Sequence, residues 1–306
     1  MEPLLDTPIR KDLIYDVGTH KGEDAEFYLR KGFRVVAIEA DPDLAAFCRN
    51  RLREFLVAGK LTIVEGAVVD PDSLVSGQTK TQFYKSNRIS VWGTTRADWA
   101  ERFARLGAGS HMIEVNVVDF LAVMQQHGVP HYMKIDIEGC DMVCLQALRR
   151  FKERPDYVSL ESDKTSYGNI KHEINALGDL GYDRFQAVEQ SGIPSSQHPP
   201  YPAKEGRYVD QVFEQGSSGL FGAELGDEWR SRREILYQCR YIRLGYYLLG
   251  DDGAMKRWNF QAAPKWRLWT QSLLSGLTGG DVPGWYDVHA RHASAAFPRE
   301  GTVAKV

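Results

Sequence analysis

The chain has no apolar run of roughly 18 residues or more, the length a helix needs to span a bilayer. No membrane span is therefore expected. Cysteine is scarce: Cys48, Cys140, Cys144 and Cys239 are the only four in 306 residues, and they show neither zinc-ligand nor secreted-scaffold spacing. Cys140 and Cys144 would share a helix face as buried thiols, which points to a reducing cytoplasm. An excess of positive charge is also missing. The 38 Lys and Arg against 41 Asp and Glu give a net charge of -3, so no nucleic-acid footprint is expected. The opening Met1-Glu-Pro-Leu-Leu-Asp6 has no basic stretch leading into an apolar one, so no signal peptide is expected.

A hydrophobic content of 43% and a charged content of 26% fit a soluble globular protein of one large α/β domain, or one domain with an extension. Apolar runs alternate with helical patterns. Leu13–Val17, Arg34–Glu39, Leu61–Glu65, His131–Ile137 and Tyr157–Glu161 read as strands. Glu23–Lys31, Asp43–Val57, Asp119–His127, Asp141–Phe151 and Ile170–Leu180 read as helices. This alternation predicts a doubly wound, mostly parallel sheet with its ligand crevice at the strand C-termini. Asp16, Glu39, Glu65, Asp136 and Glu161 all fall at such ends.

Two regions break the rhythm. Residues 70–110 form an insertion, read as a small hairpin (Thr81–Lys85 with Ile89–Thr95) that serves as a lid or binding loop. After Arg184–Val188, which is expected to pair antiparallel with Tyr208–Phe213, residues 214–306 read as a helical C-terminal extension with a helix from Asp227 to Leu249. Residues 1–213 would then form the ligand-binding domain. In the extension, Trp229–Tyr237 reads as a solvated helix with an apolar stripe, and Gly284–His289 as a segment that either lines an acceptor pocket or packs the extension onto the core, with packing favoured.

The densest chemistry lies in Asp16-Val-Gly18-Thr19-His20-Lys-Gly22. Gly18 and Gly22 allow a sharp turn and a close ligand approach, and the following helix start offers unpaired N–H groups. No Gly-Lys-Ser/Thr follows, which disfavours a triphosphate. Glu39, 21 residues after Gly18, can accept both ribose hydroxyls of an adenosine; a solvated strand-end acid is the alternative. Asp41 and Pro42 read as the cap and first residue of the next helix. The third glycine of a dinucleotide fingerprint is missing, and a pyrophosphate would sit poorly beside Asp16. A sulfonium and an ammonium would be attracted there, so S-adenosylmethionine is favoured over NAD.

Asp16–Gly22, Val36-Ala-Ile-Glu39-Ala40-Asp-Pro42 and Lys134-Ile-Asp136-Ile-Glu138-Gly139-Cys-Asp141 together resemble the FkbM family of S-adenosylmethionine-dependent methyltransferases. The resemblance covers roughly Leu13 to Phe213, and the Lys134–Gly139 segment is its most specific part. It implies a class I methyltransferase (Rossmann-like) fold with a seven-stranded sheet. It also implies methyl transfer to a hydroxyl of a sugar, glycan or natural product, occasionally to a carboxylate, with S-adenosylhomocysteine as product. The family has Ala-Asn where this chain has Thr19-His20, which leaves the role of His20 open.

The cofactor is expected to meet Asp16, Gly18, Thr19, His20, Gly22, Glu39, Ala40, Gly66, Ala67 and Asp136, with Gly66 and Ala67 beside the adenine. Transfer is an in-line displacement in which positioning dominates. An alcohol acceptor benefits from a general base, and Asp136, Glu138, Glu161 and His172 are the candidates. Asp136 with Glu161 or Asp163 can be drawn as a Mg²⁺ site, which is not favoured because no complete oxygen set is visible. Trp92 and Thr94 in the insertion, with Lys134 and His172, are candidate substrate contacts. An internal salt bridge is the less favoured alternative for Lys134, and Trp92–Arg96 can equally be a packed turn. The rival readings are a carboxylate-methylating enzyme, a nicotinamide oxidoreductase, and a silent binding module of the same fold. A homodimer through the extension is a further expectation.

Overall fold

Alternation with a period of two sorts the strand residues onto two faces, and each face is covered by helices. In the computed structural model, which describes residues 3–163, 166–250, 264–278 and 284–295, the elements follow in this order. They are β1 (Ile9–Val17), α1 (Glu23–Arg30), β2 (Arg34–Glu39), α2 (Pro42–Arg51), α3 (Arg53–Val57), β3 (Leu61–Glu65), β4 (Ala67–Val68) and β5 (Lys80–Ser86). Then come α4 (Ala97–Arg105), β6 (Ser110–Val118), α5 (Phe120–His127), β7 (Val129–Ile135), α6 (Asp141–Leu148), β8 (Tyr157–Glu161) and α7 (Tyr167–Asp179). The last are β9 (Tyr182–Glu189), α8 (Ile193–Ser196), α9 (Arg232–Leu249), α10 (Pro264–Thr278) and β10 (Tyr286–His292).

Seven strands form one sheet in the order β3-β2-β1-β7-β8-β10-β9. The first five pair in parallel, and β10 runs antiparallel to both of its neighbours. On one face Tyr15, Val17, Ile38, Met133, Ile135, Leu160 and Val288 pack with buried residues of α5, α6, α7 and α9. On the other, Ile14, Val35, Ala37 and Tyr132 pack with Phe27 and Tyr28 of α1 and with Phe213 and Phe221. The predicted doubly wound sheet is what the chain forms. Several boundaries follow the expected local chemistry: the Asp41 side chain caps α2 by accepting from the Asp43 N–H, and Asp119 caps α5 through the Ala122 N–H.

Three expectations need correction. β9 does not pair with Tyr208–Phe213. Its partner is β10, drawn from the C-terminal extension, so the extension supplies an inner strand of the sheet. The insertion is not a hairpin between residues 81–85 and 89–95. β5 pairs antiparallel with β6, β4 joins them in a three-stranded sheet, and Tyr84 touches Thr94 only through an isolated bridge. The expected single helix over 43–57 is two, broken at Leu52, whose buried side chain anchors the joint. The tail after Pro298 lies outside the described residues.

A chain of charges locks the layer below α1. His131 on β7 accepts or donates at both ring nitrogens, to Asp156 (2.6 Å) and Glu205 (2.9 Å), and Asp156 also receives Lys11. Burial alone would depress the imidazole, but the two carboxylates outweigh it and push it up to about 9. Because this folded value exceeds the ordinary 6.5, His131 contributes stability fully below pH about 6.5 and loses it as pH rises through about 9. Urea unfolding from pH 6.5 to 9.5 is expected to show a fall on the order of 3 kcal/mol that is absent in His131→Gln. Parallel curves for the two proteins would remove His131 as the cause.

Candidate active site

The ends of β1 and β7 meet because Gly18 has no side chain. Asp136 N–H donates to the Val17 carbonyl (2.9 Å), and a Cβ on Gly18 (φ +85°) would overlap the Asp136 carbonyl. The Gly18 and Thr19 N–H groups both turn to the Ile38 carbonyl at the end of β2 (2.9 and 3.1 Å). His20 then takes a left-handed conformation (φ +54°). That places its N–H 2.8 Å from Glu39 Oε2, while the Asp41 N–H lies 2.9 Å from Oε1. Burial lifts the Glu39 carboxyl to about 7 against the pull of these two donors.

Two cavities open along the C-terminal strand ends. The smaller, about 80 Å³, is bordered by Gly18, His20, Glu39, Ala40, Gly66 and Ala67, and from the insertion by Thr94. The larger, about 570 Å³, is bordered by Trp92, Trp99, Asp136, Glu138, Glu161 and His172. They share Val91, Asp136 and Glu138, so the Asp136–Glu138 stretch is the wall between them. His20 Nε2 contacts Ser90 Oγ at 2.7 Å and pins the glycine turn to the insertion.

Not every sequence-predicted residue reaches these cavities. Gly22 caps α1 at φ +80°, and a Cβ there would meet Leu52 Cδ1 at 2.9 Å; its service is packing against α2, not ligand approach. Thr19 is buried and donates to Asp16 Oδ2 at 2.6 Å. Asp16, Thr19 and Lys134 border neither cavity. Thr94 is buried, donating to the Glu138 carbonyl (2.9 Å) and holding that residue's left-handed backbone.

Lys134 is an internal counter-ion rather than a substrate contact. Its Nζ lies 3.5 Å from Asp136, 3.6 Å from Asp24 and 3.7 Å from Asp16, with almost no exposure. Burial alone would lower the ammonium, but Asp136, Asp16, Asp24 and Asp287 together hold it well above its ordinary range. Burial lifts Asp24 to about 6 and raises Asp16, with Lys134 opposing both. Asp136 belongs to this cluster yet keeps a side chain 38% exposed at the junction of the cavities.

The larger cavity holds three further acids, of which sequence reasoning offers only Asp287, as part of a segment able to line an acceptor pocket. Asp141 accepts the Ile137 N–H, and burial lifts it to about 7, with Asp136 adding to the rise. Burial raises Glu173 well above its ordinary value, and Asp287 likewise beside Asp136 and Glu161. Asp141 was legible as the residue closing the Lys134–Asp141 segment. Asp287 lay in a segment noticed for its aromatic and acidic mix, but only the β10–β8 register (Asp287 opposite Glu161) shows why it arrives here. Glu173 carries no local signal. Among the described residues no group of His, Cys, Asp and Glu side chains is arranged to hold a metal ion.

A sheet of order β3-β2-β1-β7-β8-β10-β9 with its inner antiparallel strand, and a cavity beyond the glycine turn, defines the class I S-adenosylmethionine-dependent methyltransferase fold. The methyltransferase FkbM domain model matches residues 16–184, more than half of the chain, and the chain belongs to that family. Similar solved structures include precorrin-6y C5,15-methyltransferase from Geobacter metallireducens GS-15 (17% identity, 61% of this chain and 68% of that one, TM-score 0.32). Methyltransferase FkbM from Methylobacillus flagellatus KT is 18% identical over 52% of this chain and 34% of that one, so this chain spans about a third of its length (TM-score 0.30). A third, a SAM-dependent methyltransferase from Geobacter sulfurreducens in complex with S-adenosyl-L-homocysteine, is 11% identical over 95% and 86% (TM-score 0.32). No functionally curated protein matches the chain. The family assignment rests on the domain match and the sheet order, not on these distant likenesses.

Removing the Lys134 charge leaves Asp16 and Asp24 buried without a cation. Lys134→Met is expected to cost about 3–5 kcal/mol at neutral pH, and less below pH 6 as the carboxyls take up protons. Denaturant unfolding at two pH values reads this; a loss below about 1 kcal/mol would contradict the hub.

Proposed function

We propose that the protein is an S-adenosylmethionine-dependent O-methyltransferase whose acceptor presents a hydroxyl of a sugar, glycan or natural product. The observation that carries this reading is the meeting of two unlike cavities at Asp136 and Glu138. One has a wall whose residues suit a nucleoside and the other has the volume of a small-molecule site.

The residues of the smaller cavity fit the cofactor's nucleoside. Each Glu39 oxygen already accepts one backbone N–H and keeps a second acceptor position, which suits the two hydroxyls of a ribose. Ala40, Gly66 and Ala67 leave a shallow, flat border for the base. The methionine end would extend past Gly18 toward Asp136.

When bound, S-adenosylmethionine supplies an electrophilic methyl on a sulfonium. The chain's own part is to place the acceptor oxygen and handle its proton. Asp136 borders both cavities, as Glu138 does, and the Lys134 ammonium 3.5 Å away holds it in place. It accepts the hydroxyl proton or orients the hydroxyl, with Glu138, Glu161 and His172 on the same wall. A carboxylate acceptor is disfavoured by this wall of acids. The cavity's arginines are engaged too: Arg96 is gripped in a fork by Asp98 (3.0 and 2.6 Å) and donates to the Gly139 carbonyl. Arg102 donates to the Tyr246 hydroxyl and lies over the rings of Trp99 and Phe103. Trp92, stacked on Phe103 at 4.8 Å, and Trp99 give the cavity flat aromatic surfaces against which a sugar ring can pack.

Calorimetry is expected to show binding of S-adenosylhomocysteine and none of NAD; the reverse would install the oxidoreductase reading, and no binding of either would leave a silent module. Glu39→Gln is expected to weaken S-adenosylhomocysteine about 10- to 100-fold, the loss of a charge-assisted hydrogen bond. Hydroxyl donors favour the ionised carboxylate, so wild-type affinity should climb as pH rises through about 7 and stay flat in the variant. Asp136→Asn should lower turnover by about 10²–10⁴; full turnover would exclude Asp136 from the chemistry.

A further inference from the structure

Helix α9 presents two faces of opposite character. Its inner face buries Ile235, Gln238, Cys239, Ile242, Gly245 and Leu249. Successive helical residues turn by about 100°, which gathers Arg233, Tyr237, Arg240, Tyr241, Leu244 and Tyr247 on the outer face. Tyr237 is 62% exposed, and Tyr247 and Leu244 are exposed as well. The rings are organised rather than splayed. The Tyr237 and Tyr241 hydroxyls meet at 2.8 Å with their rings edge to face, and Arg243 lies over Tyr247 at 5.4 Å. α10 packs on α9 and adds exposed Trp269 (62%) and Leu273, one turn apart. The only acid on α9 is Glu234, which is spent in the capping box with Ser231.

An outer face of tyrosines, leucines and a tryptophan fringed by arginines, on a chain whose net charge is -3, is a local reversal of the protein's overall sign. We propose that this α9–α10 face docks on an anionic lipid surface, with the helices lying flat in the headgroup layer. The aromatic and leucine side chains supply the shallow apolar burial, and Arg233, Arg240 and Arg243 supply the attraction to acidic headgroups. Charge decides between this occupant and a second copy of the chain: a two-fold pairing of the face would set each arginine row against its own copy. The interaction is peripheral, since no helix among the described residues is long and apolar enough to cross a membrane. The same helix reaches the larger cavity at its C-terminal end, where Tyr246 and Gly250 border it. A bound membrane would thus lie against the helix that walls the acceptor site.

The test is co-sedimentation of the full chain with vesicles of equal parts phosphatidylcholine and phosphatidylserine, beside phosphatidylcholine alone. Binding is expected to the anionic vesicles, to weaken as salt rises, and to fall roughly fivefold for each arginine replaced in Arg233→Gln, Arg240→Gln and Arg243→Gln. A second set, Tyr237→Ser, Leu244→Ser and Trp269→Ser, is expected to abolish binding independently. Thermal unfolding midpoints like the wild type's establish that each set still folds. No pelleting at low salt, or pelleting that neither set reduces, would overturn the proposal. A concentration-dependent dimer that both sets dissolve, without vesicle binding, would reassign the face to a second copy.

Discussion

One buried ammonium holds the centre of this molecule together. Lys134 sits where β1, β7 and α1 converge, and Asp16, Asp24 and Asp136 reach it from three elements. Desolvating one cation among several carboxylates is costly, and the cost is recovered only when every partner is in place. The arrangement therefore ties the geometry of the glycine turn to that of the Lys134–Gly139 segment. A shift in either would leave a charge unpaired in a dry layer, so the wall between the two cavities is fixed electrostatically as well as by packing.

The remaining layers distribute tasks around that hub. One face of the sheet is apolar and carries most of the packing. The other mixes aromatic packing with buried charge, including Lys31 with Glu224 (2.7 Å) and the His131 chain. The insertion does not merely cover the site. Through Thr94 it braces the backbone of Glu138, and through Ser90 it touches the glycine turn. Its position is coupled to the glycine turn, which borders the smaller cavity, and to the Asp136–Glu138 stretch, which borders both.

Much of the sheet was legible because apolar strands with acids at their ends and capped helices between them are local signals. The glycine turn and the alternation Lys134-Ile-Asp136 were readable for the same reason. β10 was not readable. Asp287, His289 and Arg291 alternate with Val288 and Ala290, which looks like an edge strand with a wet side, yet all of these side chains are buried or nearly so. Its partners, Tyr182–Glu189 and Tyr157–Glu161, lie far upstream, and pairing at that range leaves no local mark. The break at Leu52 has no glycine or proline to announce it. The service of Gly22 to α2 packing cannot be told from ligand approach until Leu52 is seen against it.

The late arrival of β10 has a consequence for how the chain reaches this state. β8 and β9 pair with β10 on its two sides, so until residues 286–292 insert, both offer unpaired edges. Such edges are templates for mispairing. The strand that closes this gap is also the one that brings Asp287 beside Glu161. Closing the sheet and finishing the larger cavity are thus one event, which belongs to the slow, non-local end of folding.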